Sequence, residues 1–250
     1  MASHGYGWKR QLPDQRDYKY TLAIPTVLPP LVDMTGKCPP VYDQETLGSC
    51  TGNAIAGAVE FERIKQGLVD FVPSRLFIYY EERVIENTVN SDSGAEIRDG
   101  FKVISSLGVP AETDWPYDVS KFTQKPPQQA YDDALKDVAT QYLAINQDLT
   151  SFRQCLSDGY PFVFGFTVYS SFESDQVNQS GIVPMPSPTE SVLGGHAVMC
   201  VGYDDNAKEF IVRNSWGPKW AQNGYFRMPY QYLTNPDLAS DFWTLRLVSS

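Results

Sequence analysis

Two residues of this chain have the types and surroundings of an acyl-transferring pair. Cys50 ends the stretch Gln44-Glu45-Thr46-Leu47-Gly48-Ser49 and opens a run of helix formers that reaches Gly67. A cysteine in the first turn of a helix faces unpaired backbone N–H groups and the positive end of the helix dipole. Both favour the thiolate, which is the nucleophilic form. His196 is the one histidine besides His4, and Asn214 follows it in Arg213-Asn214-Ser215-Trp216-Gly217. Thiol, imidazole and amide are the parts of a nucleophile, a base and the group that orients the base. A zinc site would need three or four Cys or His ligands at tight spacing, and no Cys-x-x-Cys occurs, so neither a metal nor another cofactor is expected. Cys155 and Cys200 read as small buried hydrophobes.

These residues need elements to hold them. The helix from Cys50 carries Ala54, Ile55, Ala58, Val59 and Phe61 at helical spacing, and Gly67 suits its C-terminal cap. Pro73-Ser74 followed by Leu76, Phe77, Tyr79 and Tyr80 predicts a second helix to about Val84. Ile97, Phe101, Ile104 and Leu107 predict a third, ending at Gly108. From Trp115-Pro116-Tyr117 the chain turns to loops, then to a helix over 150–157. Strands are predicted over Phe162–Val168, His196–Tyr203, Glu209–Asn214 and Gly224–Met228, with a hairpin turn at Asp204-Asp205-Asn206. Cys50 therefore sits on helical structure, and His196 and Asn214 sit on a mainly antiparallel sheet. Residues 1–27 read as an extended arm, which Trp8, Tyr18 and Tyr20 could pin to the body, and Pro29-Pro30 marks the start of the folded domain.

The 250 residues, 42% hydrophobic, can bury a core as one large domain or two lobes. A formal net charge of −10 lacks the basic footprint that a phosphate backbone requires, so nucleic acid is not an expected partner. No run of about 18 apolar residues predicts a membrane span, and the first thirty residues lack the apolar core of a signal peptide. Four cysteines are too few for a disulfide framework. A cytoplasmic location is favoured on these grounds, with secretion by a route other than Sec left open. The chain is expected to be a monomer.

The motifs Asp43-Gln44-x5-Cys50, Gly195-His196-Ala197-Val198, Val201-Gly202-Tyr203 and Asn214-Ser215-Trp216-Gly217, ending in Asn223-Gly224-Tyr225-Phe226, resemble the papain family of cysteine peptidases over about residues 28–230. Gly108-Val109 leading to Trp115-Pro116-Tyr117 supports the register between them. The resemblance implies an α+β fold of two lobes, a helical lobe over about 45–115 and an antiparallel, barrel-like β lobe over about 116–250, with the active-site cleft between them. It implies a peptide or protein substrate cleaved through a Cys50 thioacyl-enzyme. His196 would be the general acid/base, Asn214 would orient the imidazole, and Gln44 with the Cys50 N–H would hold the oxyanion. Trp216 would shield the His196–Asn214 bond. The family's nucleophilic thiols have pKa values of about 3 to 4. Gly94 would bind substrate backbone. Ala95 and Glu96 would line the pocket for the P2 side chain, with Gly165 and Ala197 on its far wall and Gly195 also meeting substrate, and Glu96 would either favour a basic P2 residue or stand solvated.

Three features depart from the family pattern. Thr51-Gly52-Asn53 stands where a large aromatic residue usually follows the nucleophile, Leu47 replaces the cysteine of the usual lobe disulfide, and Ser93 replaces the first glycine of a Gly-Gly pair. The arm is shorter than a typical prodomain, and it would either wrap the surface or lie in the cleft as a built-in inhibitor. Two other functions fit the same residues less well. One is a papain-like fold turned into a binding or adaptor protein, against which stands the retention of Gln44, Cys50, His196 and Asn214 together. The other is transfer of the acyl group to an amine or thiol instead of water.

Overall fold

The computed structural model describes residues 5–21 and 27–249. The expected arm therefore falls outside the described residues at 1–4 and 22–26. Strand β1 (Leu31–Asp33) precedes three helices, α1 (Cys50–Gln66), α2 (Arg75–Ile85) and α3 (Ile97–Ser106). Then come α4 (Gln128–Ala134), β2 (Ala139–Ala144), α5 (Leu149–Ser157), β3 (Phe162–Tyr169), α6 (Asp175–Ser180), β4 (Val192–Asp204), β5 (Glu209–Arg213), β6 (Tyr225–Pro229), α7 (Tyr230–Thr234) and β7 (Ala239–Val248). All named strand pairs are antiparallel, in the order β2-β7-β3-β4-β5-β6, with β1 on β4. The structure is α+β, as the motifs imply.

α1 is buried from Cys50 through Arg63, which fits a helix packed on both helices and sheet. Its last turn is closed by Gly67 in the left-handed region, φ 70°, whose N–H returns to the Arg63 and Ile64 carbonyls. The residues that depart from the family pattern after Cys50 are packing devices. Gly52 lets the helix meet α2, since a Cβ there would lie 2.7 Å from the Arg75 carbonyl oxygen. Thr51 Oγ1 donates to Glu82 Oε2 of α2 at 2.6 Å, and Asn53 Oδ1 accepts from Arg75 Nη1 at 3.2 Å. Three polar or small residues thus dock α2 where a bulky ring would hold it away.

Besides the short β1, two strands go unread in the sequence. β2 carries Thr140 and Gln141 on its exposed part, and β7 places Asp241 and Arg246 among its apolar residues, so neither shows clean alternation. They pair with each other, and β7 continues onto β3 through a bulge between Val163/Trp243 and Gly165/Ser240. α4 is also missed. Its Ala130 and Ala134 pack with Leu76, Phe77 and Tyr79 of α2.

Candidate active site

The dipeptide Ser49-Cys50 begins α1, and the Cys50 sulfur is fully buried against β4. The Ala197 N–H donates to Cys50 Sγ at 3.4 Å, so the residue beside His196 lies on the sulfur. His196 Nε2 and Asn214 Oδ1 are 2.7 Å apart, and the same Oδ1 accepts from the Ser215 N–H at 2.9 Å. β4 places the imidazole and the end of β5 places the amide. Trp216 stacks on the imidazole with ring centres 5.3 Å apart and planes at 29°, and it is itself buried. The four residues read as catalytic thus converge from α1, the loop before it, β4 and the segment after β5.

Gln44 is locked from three directions. Its N–H donates to the Ser215 carbonyl at 2.8 Å, its side-chain Oε1 accepts from Ser215 Oγ at 2.7 Å, and its carbonyl accepts from Tyr117 Oη at 2.8 Å. With Oε1 engaged by Ser215, Nε2 turns to the cleft, where it donates at 2.9 Å to the Gly5 carbonyl and to that of Leu47. Nothing in the sequence gives Ser215 or Tyr117 such a role. Both lie inside short motifs of the family pattern, but their bonds form only when the two halves of the chain meet.

A carboxylate ties down the loop before Cys50. Asp92 accepts from the Gly48 N–H with both oxygens, at 3.1 and 3.0 Å, and from Tyr79 Oη at 2.5 Å. Tyr79 Oη in turn accepts from the Gly94 N–H at 3.1 Å. The loop before Cys50 is thereby joined to the loop bearing Gly94 without sulfur chemistry, and all four cysteines are free thiols.

The arm lies in the cleft. Gly7 O accepts from the Ala95 N–H at 2.7 Å, and the Lys9 N–H donates to Ala95 O at 3.0 Å, a parallel bridge centred on Trp8. The Trp8 N–H donates to Gly195 O at 2.9 Å, and its indole fills a pocket walled by Gly165, where a Cβ would lie 1.9 Å from the ring. Tyr6 sits edge-on to His196 at 6.0 Å and bonds Glu173 through its hydroxyl. Farther along, Asp17 pairs with Arg98 at 2.7 Å, and Tyr20 is buried with its hydroxyl on Asp158 at 2.6 Å. Tyr18, expected as an anchor, exposes its ring, 81% accessible. Its backbone carbonyl holds the arm instead, accepting from the Ala144 N–H.

Of the other residues expected to meet substrate, Gly94, Ala95, Gly165 and Gly195 all touch Gly7 or Trp8 of the arm, and Ala197 touches the thiol. Glu96 stands at the N-terminal end of α3, where its own N–H donates to Glu86 Oε1 at 2.7 Å. The carboxylate that meets the Trp8 side chain is Asp241, which the sequence pattern hides along with its strand. The Cys50 thiol departs from the low pKa implied by the resemblance. Burial pushes it up to about 12, against the Ala197, Gly7 and Thr51 backbone amides that pull it down.

This geometry, a thiol at a helix start beside an imidazole–amide pair, defines a class. The family profile described as papain family cysteine protease matches residues 28–241, and the chain belongs to that family of peptide-bond hydrolases. An uncharacterized peptidase C1-like protein of Acanthamoeba polyphaga mimivirus is 43% identical over 274 residues, 99% of this chain and 88% of that protein. The crystal structure of Xylellain, a cysteine protease from Xylella fastidiosa, matches with a TM-score of 0.90 and 45% identity, covering 98% of this chain and 96% of that one. A cathepsin B-like protein of Giardia intestinalis is 29% identical over 202 residues, 76% of this chain and 64% of that longer protein. These relatives do not favour the adaptor reading.

Proposed function

We propose that Cys50 is the nucleophile of a thiol peptidase held latent by its own N-terminal arm. The observation that carries this reading is the Gln44 Nε2 bond to the Gly5 carbonyl, because a backbone carbonyl already sits on the donor assigned to the oxyanion. In the working enzyme His196 takes the Cys50 proton, the thiolate attacks the substrate carbonyl carbon, and the oxygen's negative charge falls on Gln44 Nε2 and the Cys50 N–H. Imidazolium His196 then gives its proton to the leaving amine. Water, deprotonated by His196, attacks the thioester, and collapse of that adduct expels the Cys50 thiolate with the carboxylic acid product. Asn214 keeps the ring turned through its 2.7 Å bond to Nε2, so Nδ1 is the nitrogen that exchanges protons with the sulfur. Trp216 keeps water from that bond.

The arm resists this chemistry because it offers the sulfur a donor. The Gly7 backbone N–H is the group of the arm that pulls the Cys50 thiol pKa down. Gly7→Val supplies a test, since a Cβ at Gly7 would lie 1.6 Å from the Gly48 carbonyl oxygen and must drive the arm out. Alkylation by iodoacetamide, mapped by mass spectrometry, is expected to be slow at Cys50 in the native chain at neutral pH and at least about tenfold faster in Gly7→Val. Adding His196→Ala to that variant is expected to slow it again. Equal rates in the native chain and Gly7→Val would remove the latency. Labelling indifferent to His196 would remove the activated thiol.

A further inference from the structure

Away from the cleft, the far end of α1 borders a cavity of about 490 Å³. It lies between the last turns of that helix, the helical turn Thr35–Lys37 after β1, and Gly159 after α5. Phe61 is about three turns along α1 from Cys50, so the cavity shares no group with the catalytic residues. Met34 and Phe61, both buried, and Ile64, 38% exposed, supply an apolar lining. Small-molecule sites of ~300 to 1,000 Å³ join an apolar wall to a few polar groups, and here those groups are Lys37 and Lys65. The charge at this place runs against the chain, in which acidic residues outnumber basic ones by 30 to 20. Lys37 enters no ion pair among the described residues. Lys65 reaches Glu62 only at 3.7 Å, with its ammonium over the Tyr160 ring, and burial raises the Glu62 carboxyl to about 7, so that partner is partly protonated at neutral pH. Arg246 covers the Tyr160 ring as well, at 3.8 Å. The nearby carboxylates face elsewhere: Asp158 takes Tyr20 and Gln154, and Asp33 takes the Thr35 N–H.

We propose that this cavity binds a small anionic amphiphile, a carboxylate on an apolar tail of the medium-chain fatty-acid class, with the tail against Met34, Phe61 and Ile64 and the head between Lys37 and Lys65. A purely apolar ligand would leave both ammonium groups without an anion, and a bare anion would leave the apolar lining in water. An amphiphile answers both, because burial of the tail supplies the driving force and the lysines fix the orientation of the head. A cationic amphiphile of the same length would meet like charge at the same place. Gly36 lines the cavity and helps to keep it open. A Cβ there meets nothing within 4 Å, and its backbone lies outside the left-handed region, so a larger side chain has room to enter the cavity without straining the fold.

Calorimetry on the full native chain at pH 7, with each ligand below its micelle concentration, supplies the test. Decanoate is expected to bind once per chain, and octanoate about tenfold more weakly for the two methylenes removed. 1-Octanol, which keeps the tail and lacks the charge, is expected to bind about fivefold or more below octanoate, and added salt is expected to weaken decanoate. Gly36→Leu is expected to cut decanoate affinity about tenfold or more, because its side chain takes the space of the tail. Lys37→Gln with Lys65→Gln is expected to bring octanoate down to the affinity of 1-octanol. Circular dichroism checks that both variants fold, and the ligand series in the native chain decides the matter if Gly36→Leu does not. No binding of decanoate, equal binding of octanoate and 1-octanol, or decanoate affinity unchanged in a folded Gly36→Leu would overturn the assignment. Octanoate affinity untouched by loss of both lysines would overturn it as well.

Discussion

Ser215 is a residue whose type says little and whose position says much. Its N–H bonds Asn214 Oδ1 and its hydroxyl bonds Gln44 Oε1, so one residue sets both the amide that orients His196 and the amide that faces the oxyanion. Losing the hydroxyl frees Gln44 to rotate while leaving the donor in the cleft. Ser215→Ala in the Gly7→Val background is expected to lower kcat roughly tenfold with little change in KM, whereas Gln44→Ala is expected to lower it about 10²- to 10³-fold. Steady-state kinetics on one coumarin substrate checks both. A kcat for Ser215→Ala equal to the parent's would mean that Tyr117 and the backbone alone hold Gln44.

At the scale of the element, α1 carries more than the nucleophile. It buries Glu60, Glu62 and Arg63 as well as its apolar face, which suits a helix wedged between α2 and the sheet. Burial raises the Glu62 carboxyl to about 7, against Lys65, which pulls it down. A carboxyl whose folded pKa lies above its unfolded value holds its proton more tightly when folded. Its ionisation therefore costs stability as pH rises from about 4.5 through 7, and the full penalty stands above 7. Glu62→Gln removes that penalty. The variant is expected to raise unfolding free energy by about 1 to 2 kcal/mol at pH 8 and to change it little at pH 4.5, read from guanidinium midpoints. An effect of the same size at both pH values would refute the burial account.

On the scale of the whole molecule, the arm ties the two sides of the cleft together. Lys9 reaches Glu86 at the end of α2, Trp8 reaches β7, Tyr6 reaches Glu173 after β3, and Asp17 grips Arg98 of α3. Each bond is modest, but release requires breaking them in concert. The Asp17–Arg98 pair lies away from the catalytic residues and is largely buried, so its removal weakens the arm without entering the site. Asp17→Asn is expected to raise kcat/KM on a coumarin substrate about three- to tenfold, below the gain from Gly7→Val. No gain, with Gly7→Val still active, would show that the first residues of the arm hold it alone.

Much of this protein is legible in the order of its residues. Cys50, His196, Asn214 and Gln44 stand in short local motifs, and α1 to α3 have apolar stripes at helical spacing. Patterns of that kind are properties of neighbouring residues, so the chain displays them in order. β7 and its Asp241 are not legible, because the strand's alternation is broken by the bulge that gives Asp241 its direction. The Asp92 link between Gly48 and Tyr79 is equally silent, since an aspartate in a polar loop looks solvated until its partners arrive from elsewhere in the chain. The state of the thiol is hidden most deeply. A cysteine at a helix start reads as a thiolate, and only the tertiary structure shows the burial that pushes the thiol pKa up, with the arm's Gly7 amide among the groups that pull it down. The sequence by itself determined which groups could react and on which elements they ride. Contacts between residues distant in the chain decided what the cleft faces, what fills it and how it is held shut.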